Sequence, residues 1–256
     1  NLFPLPSQKI LMRQLNGQNR GLMFAIYTAF LWGFLAICLK VSVEWVDSFT
    51  IVWLRFAIAF IILVSWLLIT GRKSFGIIRK PPLLVFVAAL FLALNYYGFM
   101  EGVLYTTPSN AQVFIQIAPV GFAMVGIFFY REKVNWKSIA GFIIVLLGLF
   151  MFYINQLSGL KGFEWEYKKG ILMLIGGALS WVVFASLQKK LVINWDANQL
   201  NLLIYGLCSL ILLPFADIPT LLHLSFSQWL MLISLGLNTV LSYGFLLVPE
   251  FPGLSF

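Results

Sequence analysis

The sequence has little charge, one histidine and two cysteines. Charged residues make up 10% of the 256 positions, whereas hydrophobic residues make up 61%. A soluble domain averages about 25% charged and about 45–50% apolar residues, so a soluble fold of this length could not bury the excess. The composition therefore excludes a disordered chain, a nucleic-acid-binding arm and a typical cytosolic enzyme, and it indicates an integral membrane protein.

The sequence also lacks the residues that a metal site or a catalytic nucleophile would need. His223 is the single histidine, so neither a histidine-rich metal site nor a triad with an identifiable partner is supported. Cys38 and Cys208 lie inside apolar runs without metal-site spacing, and we interpret both as free core thiols. No Walker motif or Gly-rich nucleotide loop occurs, which leaves ATP-driven transport unsupported. We expect no cofactor, no metal and no nucleic-acid partner.

Long apolar runs are what the sequence has in abundance. Helices satisfy their own backbone polar groups in lipid, and the runs lack the alternation of a membrane β-barrel strand. At about 20 residues for each crossing, the length predicts an all-α integral membrane protein with about eight transmembrane helices. These spans, numbered 1 to 8, are expected at 21–40, 49–70, 83–105, 108–130, 137–157, 170–191, 197–215 and 226–248.

The positions of the basic residues predict the orientation of the chain. With the N-terminus inside, twelve of the seventeen lysines and arginines fall in inner segments and three in outer loops, while Lys40 and Arg55 fall in or beside spans. The positive-inside rule then places the N-terminus in the cytoplasm. We predict a multi-pass protein of the cell (inner or plasma) membrane with a cytoplasmic segment over 1–20. The formal net charge of +8 is thus mainly a topology signal.

Two parts of the chain resemble each other. Residues 29–40 of span 1 align with residues 178–189 of span 6 at an offset of 149, which matches Trp32 to Trp181. A Tyr-Gly-Phe sequence recurs, in the same order, in spans 3 and 8. Because the copies are five spans apart, the second enters the membrane from the opposite side. That is the inverted-repeat plan of secondary transporters.

The order of several short motifs resembles the EamA family of the drug/metabolite transporter superfamily. The motifs are Leu31-Trp32-Gly33 in span 1, Leu54-Arg55-Phe56 in span 2, Pro108-Ser109-Asn110-Ala111 in span 4 and Arg131-Glu132-Lys133 before span 5. The resemblance implies ten helices in two inverted five-helix repeats. It also implies export of amino acids, other small metabolites or drugs. Residues 21–157 would form the first repeat, and 170–248 would supply three helices of the second.

The sequence departs from the family pattern after Gly244. The family would continue through two more helices, whereas Pro249 and Pro252 here would break a helix. We therefore expect a chain that lacks the last two helices and ends in an atypical tail over 249–256. Truncation, a frameshift and incomplete coverage are the explanations left open.

Ionisable residues inside a bilayer are costly, and each is therefore a candidate for function. Arg55 and Glu101 are expected at comparable depths, where they could pair, gate one mouth or bind a zwitterionic substrate. Snorkelling is the alternative for Arg55. Lys40 lies on one helical face with Trp32 and could bind a substrate carboxylate, or snorkel at the helix end. Glu101 is also the candidate for proton coupling.

Polar and aromatic residues complete the expected substrate pathway. Gln112, Gln116 and Pro119 form one stripe of span 4, which would line a water-filled path or hydrogen-bond to other helices, and Pro119 would kink the span. The remaining pathway candidates, for which packing alone is the alternative, are Asn95, Tyr97, Trp32, Trp181, Tyr205 and Tyr243. Close helix contacts are expected at Gly141, Gly148, Gly176 and Gly177.

The sequence thus predicts a secondary transporter rather than an enzyme. No motif in the sequence identifies the substrate. An exporter working by alternating access is the interpretation that the spans, charge bias, repeat and motifs favour. Its partners would be the lipid bilayer, a small-molecule substrate (an amino acid or an amphiphilic metabolite) and, as a coupling ion, protons. The alternatives are a non-transporting membrane protein, structural or an inactive truncated transporter, and a membrane enzyme.

Overall fold

The computed structural model describes residues 30, 32–69, 81–132, 135–159 and 165–246. All regular secondary structure in these ranges is helical, which confirms the predicted all-α class. Spans 1 to 8 are formed by Trp32–Ser42, Ser48–Ile69, Leu83–Tyr105, Pro108–Phe114 with Ile117–Phe128, Trp136–Gly159, Trp165–Leu191, Ala197–Leu212 and Phe226–Leu246. A 3₁₀ turn and a short helix, Ile218–Leu221, join spans 7 and 8. The predicted segments 1–20 and 249–256 lie outside the described residues.

Several of these helices have the length and composition of membrane spans. Within the described ranges, spans 2, 3, 4, 6 and 7 are long and apolar enough to cross a bilayer. Spans 1, 5 and 8 contain shorter apolar stretches, Trp32–Ser42, Ile139–Phe152 and Phe226–Leu241. Each apolar run in the sequence therefore corresponds to an apolar helix in the structure.

Span 4 is interrupted four residues before Pro119. Its first helix ends at Phe114, and its second begins at Ile117. Pro119 has no N–H to donate to the carbonyl of Ile115, and its ring crowds that carbonyl, so a regular helix cannot continue through this point. The Ile115 carbonyl instead accepts from the N–H of Ala118, at 2.9 Å.

The turns that lead into spans 2 and 7 have matching backbone structure at the same offset of 149 residues. Asp47 Oδ1 accepts from the backbone N–H groups two and three residues later, at 2.9 and 3.1 Å. Asp196 Oδ1 does the same for span 7, at 3.0 and 3.3 Å. Each aspartate is an N-cap that satisfies orphan donors of the following helix.

The two matching turns lie at opposite ends of the helix bundle, because five spans separate them. Lys40 precedes the first turn and Lys189 precedes the second, at equivalent positions. We therefore name the two ends after them. The Lys40 end holds the end of span 3 and the beginning of span 6, and the Lys189 end holds the ends of spans 4 and 6.

The pairing of helices follows the inverted repeat. Spans 2 and 7, which correspond to each other, pack together, and so do spans 2 and 8. A shift of five spans converts the pairing of spans 2 and 8 into that of spans 7 and 3, which is also present. The main hydrophobic core, which includes Phe56, Leu92, Leu174 and Ile204, draws on spans of both repeats.

Spans 3 and 6 make the most intimate contact, along a line that we call the glycine seam (Asn95 to Thr106 against Gly170 to Gly177). A Cβ on Gly98 would lie 2.8 Å from the carbonyl oxygen of Met173 and 3.1 Å from the Cα of Gly177. Only residues without side chains allow two backbones to approach this closely. The prediction of a close contact is confirmed for Gly177.

The same prediction is wrong for three other glycines. A Cβ built on Gly141, Gly148 or Gly176 would meet no atom of the described residues within 4 Å. Gly176 points about 100° away from Gly177 around the same helix, which turns it out of the seam.

Candidate substrate pathway

The interior of the bundle contains a buried cation. Arg55 of span 2 is 3% exposed. Its Nε donates to Oγ1 of Thr239 in span 8 at 3.3 Å, and its guanidinium carbon lies 4.4 Å from the ring centroid of Tyr96 in span 3. Thr239 donates onward to the carbonyl of Leu235 at 3.2 Å. A hydroxyl oxygen and a ring face are both attractive to a guanidinium, the more so where water is excluded.

Aromatic rings extend this group to span 7. The ring of Phe56 lies 4.5 Å from that of Tyr96 and 6.1 Å from that of Tyr205. Tyr205 is 2% exposed, and its hydroxyl has no hydrogen-bond partner among the described residues. A buried polar group without a partner typically costs about 1–3 kcal/mol, so each such group calls for an explanation. We call Arg55, Phe56, Tyr96, Tyr205 and Thr239 the interior cluster.

The interior cluster was foreseen only in part. Arg55 and Tyr205 are among the predicted pathway residues, whereas Tyr96 and Thr239 are not. Nothing in the sequence separates Tyr96 from its neighbour Tyr97, because the pairing of span 3 with span 2 decides which ring meets Arg55. Thr239 is likewise identified only by the packing of span 8 on span 2.

The ion pair considered between Arg55 and Glu101 is absent. Within the described residues, the one carboxylate–cation contact shorter than 4.0 Å joins Lys189 to Glu132. Arg55 meets span 3 at Tyr96, five residues before Glu101. Five residues correspond to about 7.5 Å along a helix and about 140° around it, so Glu101 faces elsewhere.

Lys40 binds backbone oxygens at the end of span 3. Its Nζ donates to the carbonyls of Val103, Leu104 and Thr106, at 2.9, 2.6 and 3.1 Å. The last carbonyls of a helix have no partner within it, and they carry the negative end of the helix dipole. Lys40 therefore caps span 3, a role that neither interpretation of its sequence position included.

Glu101 lies one turn before that helix end, among polar groups of spans 3 and 6. It is 7% exposed. It interacts electrostatically with Tyr97, four residues before it, and with Lys169 of span 6. Nζ of Lys169 lies 3.2 Å from the hydroxyl oxygen of Tyr105, to which it donates, and 4.4 Å from the centroid of that ring. Lys169 is one of the three basic residues that the charge distribution places in outer loops, whereas the structure places it on span 6 and adds it to the candidates.

The polar stripe of span 4 contacts span 1. Gln112 Nε2 donates to the carbonyl of Trp32 at 2.6 Å, and the exposed Gln116 donates to the carbonyl of Gln112 at 3.2 Å. Gln112 therefore makes the interhelical hydrogen bond that was one of the two alternatives. On span 6, the ring of Trp181 lies edge-on to Phe122 of span 4, at 5.9 Å. The repeat-related tryptophans thus both contact span 4.

Asn95 and the remaining candidates lie apart from these groups. Asn95 is buried in the glycine seam, where its Nδ2 donates to the carbonyl of Gly177 at 2.9 Å. The ring of Tyr97 stacks on Phe49 at 4.1 Å. The side chain of Tyr243 lies outside the described part of the structure. The predicted residues therefore form several groups along the bundle rather than one pocket.

At the Lys189 end, the loop after span 4 folds back onto span 6. Glu132 pairs with Lys189, and the hydroxyl of Tyr130 donates to the carbonyl of Ser186 at 2.8 Å. Partial burial, reinforced by the Glu132 carboxylate, raises the pKa of Tyr130, which keeps its hydroxyl protonated as a donor. Arg131 has a φ of 52°, which reverses the chain toward span 6. These contacts join the two repeats.

Apolar spans in an inverted repeat, with a buried cation held by helices of both halves, define a membrane transporter of the inverted-repeat class. The chain belongs to the EamA-like transporter family, whose model matches residues 19–154 and 168–248. As a membrane transporter, it lies in a lipid bilayer and binds a small-molecule substrate.

Relatives with curated names agree with this assignment. The chain is 33% identical over 227 residues to "Uncharacterized inner membrane transporter YhbE" of Escherichia coli K12, covering 88% of this chain and 71% of the relative. It is 30% identical over 227 residues to an "Uncharacterized transporter" of Haemophilus influenzae, covering 88% and 73%. A solved crystal structure superposes with a TM-score of 0.64 at 19% identity, covering 89% of this chain and 78% of that one, and supports the fold. The family and these names point to a transporter and not to an enzyme.

Proposed function

We propose that this transporter is a secondary exporter of amino acids or other small metabolites or drugs, working by alternating access. The interior cluster is the observation that carries the proposal. It places a guanidinium, a threonine hydroxyl and an unpartnered tyrosine hydroxyl between spans 2, 3, 7 and 8. Those spans form two pairs related by the inverted repeat, and such interfaces are where secondary transporters bind their substrates.

The composition of the cluster suits a substrate with both polar and apolar parts. The rings of Phe56, Tyr96 and Tyr205 supply apolar surface, while Arg55 and the tyrosine hydroxyl supply polar contacts. Few polar groups in a mostly apolar surrounding are typical of small-molecule sites.

The test is efflux from energised cells and from proteoliposomes that contain the purified chain. The probes are a mixture of radiolabelled amino acids and the fluorescent cation ethidium. We expect one or more probes to leave faster than from vesicles without protein. Arg55→Met should lower the efflux rate at least tenfold, although the variant should insert into the membrane normally. Arg131→Met, which changes an exposed loop residue, is the matched control and should leave the rate unchanged. No protein-dependent flux of any probe would refute the proposal.

Proton coupling through Glu101 is the second part of the proposal. A carboxyl group in a membrane span can carry a proton across when each end of the protein opens in turn. The groups that face it are Tyr97 on its own helix and Lys169 on span 6. Glu101→Gln should abolish pH-driven accumulation of a transported probe, and Glu166→Gln is the control. Unchanged coupling in Glu101→Gln would contradict this part alone.

A further inference from the structure

We propose that Glu101 and Lys169 together recognise a zwitterion, a small molecule that carries both an ammonium group and a carboxylate. The inference rests on the proposed function, because it names the substrate class of the same transport path. The site lies at the Lys40 end, between spans 3 and 6, and its two charged residues come from different repeats.

Glu101 supplies the negative half of the site. The residue is 7% exposed, and its carboxylate makes no hydrogen bond or ion pair within the described residues. A buried carboxylate is strongly disfavoured unless a donor or a cation accompanies it. An ammonium group from a ligand would supply the direct hydrogen-bond donors that Glu101 lacks, which the more distant charge of Lys169 does not provide.

Lys169 supplies the positive half. Its ammonium group rests on Tyr105, with the hydroxyl oxygen 3.2 Å and the ring centroid 4.4 Å away. Tyr105 follows Glu101 by one helical turn, so Lys169 is close enough to interact electrostatically with Glu101 without an ion pair shorter than 4.0 Å. The side chain is only half-buried and has a flexible stem, which lets it turn from the phenol toward a carboxylate.

The combination of charges favours a zwitterion over an ion of one sign. A cation alone would satisfy Glu101 and bring a second positive charge beside Lys169. An anion alone would satisfy Lys169 and bring a second negative charge beside Glu101. A ligand with both charges satisfies each partner and leaves the site neutral, which matters most where water is scarce.

The surrounding backbone fixes the position of both residues. Glu101 lies between Gly98 and Gly102, and Lys169 directly precedes Gly170 in the glycine seam. The ring of Tyr97, one turn before Glu101, is itself held by stacking on Phe49 at 4.1 Å. The half-buried ring of Tyr97 therefore offers a ligand an apolar face beside the carboxylate.

The experiment compares three matched sets of competitors against the flux that the chain supports in proteoliposomes. The first is a mixture of neutral L-amino acids, which are zwitterions. The second contains their methyl esters, which are cations, and the third their N-acetyl derivatives, which are anions. Each mixture competes with labelled amino-acid flux and with ethidium flux in the wild type, Glu101→Gln, Lys169→Gln and the controls Glu166→Gln and Lys168→Gln.

We expect the wild type and both controls to be inhibited best by the zwitterions. Lys169→Gln should weaken inhibition by zwitterions at least tenfold relative to the methyl esters. Glu101→Gln should weaken it at least tenfold relative to the N-acetyl derivatives. A swapped pair, Glu101→Lys with Lys169→Glu, retains both charges across the seam and should regain part of the preference for zwitterions. These opposite shifts would not follow from a general loss of folding.

Two results would overturn the inference while leaving the proposed function intact. One is ethidium flux in the wild type that zwitterions do not inhibit. The other is an unchanged order of inhibition in both single variants, with protein yield and thermal stability equal to those of the wild type. A wild type that moves no probe at all instead refutes the proposed function.

Discussion

A lysine or arginine in a bilayer is held by whichever acceptors its neighbours present, and Lys40 and Arg55 illustrate two outcomes. Lys40 reaches three terminal carbonyls of span 3, whereas Arg55 lies on an aromatic face and a threonine hydroxyl. The ammonium donates in three directions to oxygen atoms, and the planar guanidinium stacks. The chemistry of each cation thus matches the partner that packing provides.

Replacing Lys40 by methionine should destabilise the protein, because the substitution leaves carbonyls at the end of span 3 without their donor. We expect a loss of about 1–3 kcal/mol, the usual cost of an unsatisfied buried polar group. The measurement is thermal unfolding of the purified protein in detergent. Lys168→Met is the control, since Lys168 is exposed, and equal midpoints for the two variants would contradict the assigned cap.

How far the sequence predicts the candidate site depends on the kind of information each residue needs. Arg55 and Glu101 stand out because a charge in an apolar run is visible without any neighbour. Tyr96 and Thr239 do not, because their roles depend on which face of one helix meets another. Lys169 was missed because a helix start and an adjoining loop have similar composition.

Whole helices were easier to predict than the contacts between them. Apolar length is a local property, so each expected span contains a helix. The glycine seam depends on pairs of residues far apart in the sequence. Gly98 and Gly177 meet only when spans 3 and 6 pack against each other in one particular register. This is why Gly177 and Gly176 have the same residue type and different surroundings.

Gly98→Ala should weaken the packing of span 3 on span 6. The added methyl would lie 2.8 Å from a backbone oxygen, which cannot rotate away. We expect a loss of about 1–3 kcal/mol, as for other overpacked sites. The control is Gly176→Ala, where nothing lies within 4 Å, and there the helix preference of alanine should leave stability equal or higher. Thermal unfolding that ranks the two in the reverse order would refute the seam.

Pro119→Ala should remove the interruption of span 4. With an N–H restored at position 119, the carbonyl of Ile115 regains its usual partner, and one regular helix can run through Gln116. We expect slower amide hydrogen exchange around residues 115–119, and slower transport because a regular helix bends less readily than an interrupted one. Ala123→Pro, which breaks the same span one turn later, is the opposite control. Unchanged exchange in Pro119→Ala would assign the break to another cause.

The whole molecule is organised by the offset of 149 residues, which relates two caps and two lysines across the bundle. Asp47 and Asp196 are each exposed N-caps with the same pattern of hydrogen bonds. Their similarity is greater in backbone structure than in sequence, which is why the aspartates were not predicted. One capping aspartate is enough to hold each of these turns, so the two repeats share the backbone structure of the turn although most of its side chains differ.

Opposite placement of the two turns can be tested by labelling. Glu44→Cys and Asn194→Cys add exposed thiols beside the two turns, in a background with Cys38→Ala and Cys208→Ala. A maleimide that cannot cross membranes should label position 44 in intact cells and position 194 only in inverted vesicles. This outcome follows from the distribution of lysine and arginine. Labelling of both positions from one side would contradict the inverted repeat.

The glycine seam has a mechanical consequence for the whole bundle. Backbones in direct contact resist sliding, so we expect spans 3 and 6 to move relative to each other by tilting about the seam. Lys169 adjoins Gly170, whereas Lys189 lies twelve residues beyond Gly177, or about 18 Å along the helix axis. The seam is therefore an off-centre fulcrum with a short arm and a long arm. We expect a small rocking motion to move the Glu132–Lys189 pair through a wide arc and to leave Glu101 and Lys169 almost in place.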